Sequence, residues 1–301
     1  MDTLIKGPTH ILGVGWRSKP FPTPYLRLRS LEGRDPPFTV SLTQGVDFGH
    51  AVGNERFCIG YEYERGRHEV CPNHAVVEGS NTQCPECLSD DFYSCRMTCQ
   101  GSFCRPKSTN AKALCDLNVT TLYLTYVGGG FKVGVSLNPI KRWLEQGSYF
   151  GCSLWVGHGL TARFYEHTIG ANLGLKLAVQ RRTKIDLLGS PTPSLEEVTP
   201  EFLSLVGRVK KLNLLEEKIG SNCQVTDLRS YYGGIPSLPR KPILENQSLV
   251  GKVVGVKGKL LVLQDKGTYY VTDLGKLVGK VVSRKSKLTQ VKPKQRTLFD
   301  F

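Results

Sequence analysis

Thr121-Leu122-Tyr123-Leu124-Thr125-Tyr126-Val127-Gly128-Gly129-Gly130-Phe131-Lys132-Val133-Gly134-Val135 runs on to Asn138-Pro139-Ile140-Lys141-Arg142-Trp143, and the segment closes on Ala162-Arg163-Phe164-Tyr165-Glu166. Residues on either side of the glycine run alternate in a β-rich pattern, so the first part reads as a hairpin turning at Gly128–Gly130. Asn138-Pro139 reads as a helix start, with Asn as the N-cap and Pro at the first helical position, which places Arg142 one turn in. Leu154 to Val156 supply a third short strand, and Thr161 caps a second helix that carries Glu166. The order ββαβα brings a phenol, a guanidinium and a carboxylate towards one face. The glycine run is not a phosphate-binding loop, because no Gly-Lys-Ser/Thr follows it and no helix opens there.

A second cluster of chemistry precedes this segment. Of ten cysteines, most fall between residues 71 and 115. Cys71-Pro72-Asn73-His74 and Cys84-Pro85-Glu86-Cys87 form two knuckles with zinc-ribbon spacing, predicting Cys71, His74, Cys84 and Cys87 as one tetrahedral site. Cys95, Cys99, Cys104 and Cys115 are candidates for a second zinc site at looser spacing. His68 rivals His74 at a poorer spacing. Cys58, Cys152 and Cys223 read as plain core or surface thiols. Residues 1–13 lack the pattern of a secretory leader, which predicts a reducing compartment and metal ligation in preference to disulfides.

The segment from Tyr123 to Glu166 resembles the GIY-YIG nuclease superfamily. Tyr123 stands at the tyrosine of the first signature, Lys132-Val133-Gly134 at the second with Lys132 in place of its tyrosine, Arg142 at the helix arginine and Glu166 at the metal-binding glutamate. The resemblance implies that Tyr123 orients or deprotonates a water, that Arg142 steadies the scissile phosphate, and that Glu166 holds one Mg²⁺ or Mn²⁺. Metal-assisted phosphodiester cleavage and the planar fork of arginine suit such a set. A wider similarity covers much of residues 56–283. It includes the cysteine knuckles, Gly101-Ser102-Phe103-Cys104-Arg105-Pro106, Trp143-Leu144-Glu145-Gln146-Gly147 and Gly255-Val256-Lys257-Gly258, and it is to a zinc-binding family without an established activity.

The formal charge of +14 favours polyanionic partners without separating DNA from RNA. The C-terminal Gln295-Arg296-Thr297-Leu298-Phe299-Asp300-Phe301 resembles the PCNA-interacting peptide of replication and repair proteins. That resemblance implies docking on a sliding clamp through Gln295, Leu298 and Phe301.

The expected fold is α+β: a zinc-ribbon module joined to a ββαβα domain, with small β units at both ends. In order these are an N-terminal β-meander (1–56), the zinc-binding module (57–118), the ββαβα domain (119–190), and a helix and linker (191–244). A small β domain (245–283) and a basic tail (284–301) follow. The helix is expected over Pro200–Ile219 and the linker over Tyr231–Pro242. A hairpin turning near Asp265-Lys266-Gly267 is expected between two copies of a Leu-Val-Gly-Lys-Val-Val string. The expected location is the cytoplasm, in association with the nucleoid. Two functions remain open: a metal-dependent, structure-selective DNA endonuclease recruited by the clamp, and a non-catalytic protein that binds DNA and clamp on the same scaffold.

Overall fold

The alternating apolar residues near the two ends of the chain pair with each other. The computed structural model describes the chain apart from residues 1–4, 6, 19, 33–35, 65, 93–102, 107–108, 215–222, 239–242, 246–248 and 285–301. The N-terminal part carries β1 (Thr9–Arg17), β2 (Thr23–Ser30), β3 (Phe38–Ser41), β4 (Asp47–Arg56), β5 (Tyr61–Glu64), β6 (Arg67–Glu69) and α1 (Pro85–Asp90). In the middle lie α2 (Thr109–Leu117), β7 (Val119–Tyr126), β8 (Phe131–Ser136), α3 (Pro139–Gln146), β9 (Phe150–His158), α4 (Gly159–Leu173), α5 (Arg181–Asp186), α6 (Leu195–Lys211) and β10 (Thr226–Asp227). The last part carries β11 (Leu244–Glu245), β12 (Leu249–Lys257), β13 (Leu260–Asp265), β14 (Thr268–Asp273), α7 (Leu274–Leu277) and β15 (Lys280–Arg284). The fold is α+β, as expected. No helix among the described residues is long and apolar enough to cross a membrane.

The chain divides into two compact units, residues 1–90 with 232–301 and residues 91–231. In the first, nine strands form one sheet in the order β11-β14-β13-β12-β4-β15-β1-β2-β3. The two small β units expected at the ends are therefore one structure. Strands β1 and β4 each present a row of backbone N–H and C=O groups that must be paired. Strand β15 enters between them, setting Val282 opposite Thr9 on one side and Val52 on the other, while β12 pairs with the first half of β4. Ile11, Leu26, Leu28, Leu249, Val253, Leu261 and Val282 are buried on this sheet.

The expected linker at Tyr231–Pro242 is replaced, over its described residues, by packed 3-10 turns at Arg229–Tyr232 and Ile235–Ser237. Tyr232 is fully buried against the edge of Trp16, whose Nε1 donates to the Gly258 carbonyl at 3.0 Å. The hairpin at Lys266-Gly267 is as read. Both residues have positive φ, the requirement of a two-residue primed turn.

In the second unit a four-stranded antiparallel sheet runs β10-β9-β7-β8. With α3 and α4 it has the ββαβα order. Asn138 caps α3 by accepting from the Lys141 N–H at 3.1 Å, and Gly147, at φ 73°, ends it with a bond to the Leu144 carbonyl. Helix α4 opens at Gly159, two residues before the expected cap at Thr161, and β9 is longer than the expected Leu154–Val156 strand. Helix α6 is displaced further from expectation. A capping box between Ser194 and Glu197 starts it at Leu195, Pro200 lies inside it, and it stops at Lys211 before Asn213 turns to φ 50°. Its apolar face buries Val198, Phe202, Leu205, Val206 and Val209.

Gly134 of β8 lies opposite Tyr123 of β7, and a Cβ there would come within 2.4 Å of the phenol oxygen. Trp143 packs edge-on against the same ring, so the ring has no room to yield. Gly134→Ala should destabilise the second unit by about 1–3 kcal/mol, the usual cost of overpacking. Denaturant unfolding checks this, and an unchanged midpoint would show that the ring is free to move.

Candidate metal centre and candidate active face

Cys58, Cys71, Cys84 and Cys87 are all buried, with every Sγ within 4.8 Å of the others. The Cys71 and Cys84 sulfurs are 4.0 Å apart. A tetrahedral zinc with ordinary Zn–S bonds sets its sulfurs about 3.8 Å apart, so the donor set fits that ion. The backbone N–H groups of Cys84 and Gly60 point at the Cys58 sulfur, at 3.2 and 3.4 Å. Gly60, at φ 86°, has to be glycine, since a Cβ would meet the Glu69 carbonyl at 2.0 Å. Burial pushes the Cys58 and Cys87 thiols up, whereas the Cys87 backbone N–H draws Cys84 down. The four thiols are buried with Val77, and Tyr61 and Ala75 pack against them, so they are costly to ionise unless a cation joins them.

The ligand set corrects the expectation at two positions. His74 is exposed in a left-handed turn and takes no part, and the half-buried His68 lies outside the group as well. The fourth position belongs to Cys58, expected to be a plain thiol. It falls outside knuckle spacing because the β5–β6 hairpin separates it from Cys71 and brings the two together only in the fold. One signal was present: Cys71 and Cys84 are 13 residues apart, and Cys58 precedes Cys84 by 26.

For the second set, Cys95 and Cys99 lie outside the described residues. Cys104 and Cys115 are half-buried in the second unit and take no part in a disulfide. The Lys112 ammonium, held in its charged form chiefly by its hydrogen bond to Asp116, also lies in the field of both. Cys152 and Cys223, expected as independent thiols, form a disulfide with a Cα separation of 5.8 Å, tying β9 to the segment before β10.

The four residues expected at an active face come together in the second unit. Tyr123 and Lys132 each lie in the electrostatic field of both Arg142 and Glu166. Tyr123 is only 1% exposed. Its Oη accepts a hydrogen bond from Gln146 Nε2 at 3.2 Å. Burial raises the phenol to about 12, against the opposing pull of Arg142 and Gln146. Lys132 is buried and donates to the Leu177 carbonyl. Burial lowers its ammonium to about 8, with Glu166 opposing and Arg142, Lys184 and Arg163 reinforcing the shift. Glu166 pairs with Arg163 at 3.2 Å. Arg142 is half-exposed and holds Glu145 only at 3.9 Å.

Three members of this face were not foreseen: Gln146, Arg163 and Lys184. Helical spacing offered a partial signal. Gln146 follows Arg142 by one turn on α3, and Arg163 precedes Glu166 by one turn on α4, where side chains three or four apart are neighbours. Comparison with known proteins adds nothing to this description, since no family model, curated protein or solved structure matches the chain.

The metal centre predicts that Cys58→Ser releases zinc as readily as Cys84→Ser, while His74→Ala leaves zinc content and melting unchanged. Metal analysis of the purified variants decides it, and a zinc-loaded Cys58→Ser protein would restore His74 as a rival. Lys132 yields a separate test. Between about pH 8 and 10.5 the unfolded chain binds the proton that the folded chain has released, so stability rises with pH across that window. Below it the whole penalty remains, up to about 3 kcal/mol for a shift of this size. Lys132→Met should therefore raise the Tm at pH 7, with the gain shrinking towards pH 10.5. A lower Tm at pH 7 would mean that the amine stabilises the fold.

Proposed function

We propose that the second unit is a metal-dependent, structure-selective DNA endonuclease, brought to its substrate by a sliding clamp and working on nucleoid DNA in repair or replication. The observation that carries this reading is the meeting of one carboxylate, one phenol and several cations around Lys132. Burying an ammonium at this cost is hard to account for by packing alone, and perturbed ionisable groups gather where chemistry is done. Glu166 is a single carboxylate already neutralised in part by Arg163. Such a site suits Mg²⁺ or Mn²⁺, which take one or two protein carboxylates and complete their shell with water and substrate phosphate. When bound, the ion supplies Lewis-acid stabilisation of the phosphoryl oxygens.

The chain's own groups then divide the remaining work. Arg142 is half-exposed, held by the Tyr123 phenol and only distantly by Glu145, so its planar fork can also reach a phosphate. Lys132 adds fixed positive potential from below. Tyr123 stays a neutral phenol at ordinary pH, and its hydroxyl positions groups through Gln146 instead of removing a proton. Recruitment falls to Gln295, Leu298 and Phe301, which lie outside the described residues and would offer a short apolar plug to a clamp groove.

One observation favours the non-catalytic alternative. The phenol is sealed from solvent and the second signature position is a lysine, so the same face would serve to hold DNA and clamp without cutting.

Incubation with branched, flapped and gapped DNA in Mg²⁺ or Mn²⁺ separates the two. Cleavage should vanish in Glu166→Ala and fall by roughly 10²–10³-fold in Arg142→Ala, the usual worth of a preorganised charge contact. Retention of cutting by Glu166→Ala would remove the proposed site. Binding without cutting by the unmodified protein would select the second reading. Clamp titration of full-length and 1–294 proteins tests recruitment separately, and equal affinity would dismiss the C-terminal peptide.

A further inference from the structure

Strand β2 reads Thr23-Pro24-Tyr25-Leu26-Arg27-Leu28-Arg29-Ser30. Leu26 and Leu28 are fully buried, so Tyr25, Arg27 and Arg29 share the opposite face, where all three are partly exposed. Cross-strand pairing extends this face on both sides. Gly15 and Gly13 of β1 stand opposite Tyr25 and Arg27. Ser41 and Thr39 of β3 stand opposite the same two residues. The Tyr25 ring lies across Gly15, where a Cβ would come within 2.8 Å of the phenol oxygen. Gly13 opens onto empty space. Arg17, at the end of β1, holds its guanidinium 5.6 Å from the Tyr25 ring centre and also reaches the Thr39 hydroxyl. Among the described residues no ion pair engages Arg17, Arg27 or Arg29.

We propose that this outer face of β1, β2 and β3 binds single-stranded nucleic acid, with Arg27 and Arg29 on successive phosphates and Tyr25 beneath a base. Three guanidiniums with no carboxylate partner among the described residues gather on one patch of a chain of formal charge +14, which a polyanion complements. Residues two apart on a strand project about 7 Å apart, similar to the phosphate repeat of an extended strand. An aromatic ring held against bare glycine backbone is a stacking platform of the kind that tolerates any base. Bound duplex would offer no free base face to Tyr25, so a single strand is the better fit. The surface belongs to the first unit and does not depend on cleavage by the second.

The test is fluorescence anisotropy with labelled oligothymidylate and oligouridylate, whose phosphates and bases share this chemistry. It uses full-length, zinc-loaded protein without added divalent metal, across a salt series. Arg27→Ala with Arg29→Ala should weaken binding at least tenfold for both oligomers. It should also reduce the slope of log affinity against log salt by about 1.4, since each lost phosphate contact is worth about 0.7 on a single strand. Arg27→Lys with Arg29→Lys should keep the slope. Tyr25→Leu, which still covers Gly15, should weaken binding by roughly tenfold with the slope unchanged, as expected for lost stacking. Zinc content and melting establish that each variant is folded, and if the alanine pair fails that check the glutamine pair reads the same slope.

Unmodified-protein affinity and slope in the arginine pair would overturn the proposal. So would a Tyr25→Leu protein that binds like the unmodified one, because the face would then be a general polyanion patch. Loss of cutting in Glu166→Ala, with this binding intact, distinguishes failure here from failure of the endonuclease reading.

Discussion

The backbone pairing of β15 with β1 and β4 is the constraint on which the first unit depends. It joins the last described strand of the chain to two of the first four, and it converts two edges into the interior of a sheet. Hydrogen bonds of this kind contribute modestly one at a time, but leaving their donors and acceptors buried and unpaired is expensive. Residues 91–231, the whole second unit, therefore lie between two chain segments that must meet. The cysteine cluster sits in the same first unit, and the backbone N–H of Phe57, next to Cys58, donates to the carbonyl of Gly279 just before β15. Closure of the sheet and presentation of Cys58 to the candidate metal centre are thus coupled through adjacent residues.

In the second unit the central tension is between packing and charge. Tyr123 fills its site so fully that Gly134 can carry no side chain and Trp143 closes the remaining edge. Lys132 sits on the neighbouring strand with its ammonium buried, stabilised by one carbonyl and by the field of Glu166. An apolar residue there would pack more cheaply. The arrangement makes sense when the positive potential itself is useful, and the distant pairing of Arg142 with Glu145 leaves part of its fork open to solvent.

Local signals in the sequence are legible where a single residue type determines the backbone. Asn138-Pro139 and Gly147 bound α3 because a cap, a fixed φ and a left-handed glycine act within a few residues. Lys266-Gly267 set its hairpin for the same reason. Distant contacts leave no such local mark. Nothing within residues 1–56 reveals that β15 separates β1 from β4, and only the even spacing of Cys58, Cys71 and Cys84 hints at Cys58. Pro200 was misleading in a different way. Proline favours the first turn, but the Ser194–Glu197 capping box had already started the helix, and a local rule with two hydrogen bonds outweighed one with a single dihedral. At the candidate face, residue types at signature spacing marked Tyr123, Lys132, Arg142 and Glu166, whereas the burial that keeps Tyr123 neutral follows from Trp143 and Gly134, which only the folded sheet brings against it.

The position of β15 also bears on how the protein is made. A ribosome adds roughly 5–20 residues per second, so β1 and β4 emerge about ten seconds or more before the strand that separates them. During that interval both present open edges, the usual template for unwanted pairing between nascent chains. Strand β4 contains Gly49, Gly53, Asn54 and Glu55, poor strand formers that gain little from pairing with a stranger. The same residues that weaken β4 as an isolated strand keep its edge available for its late partner.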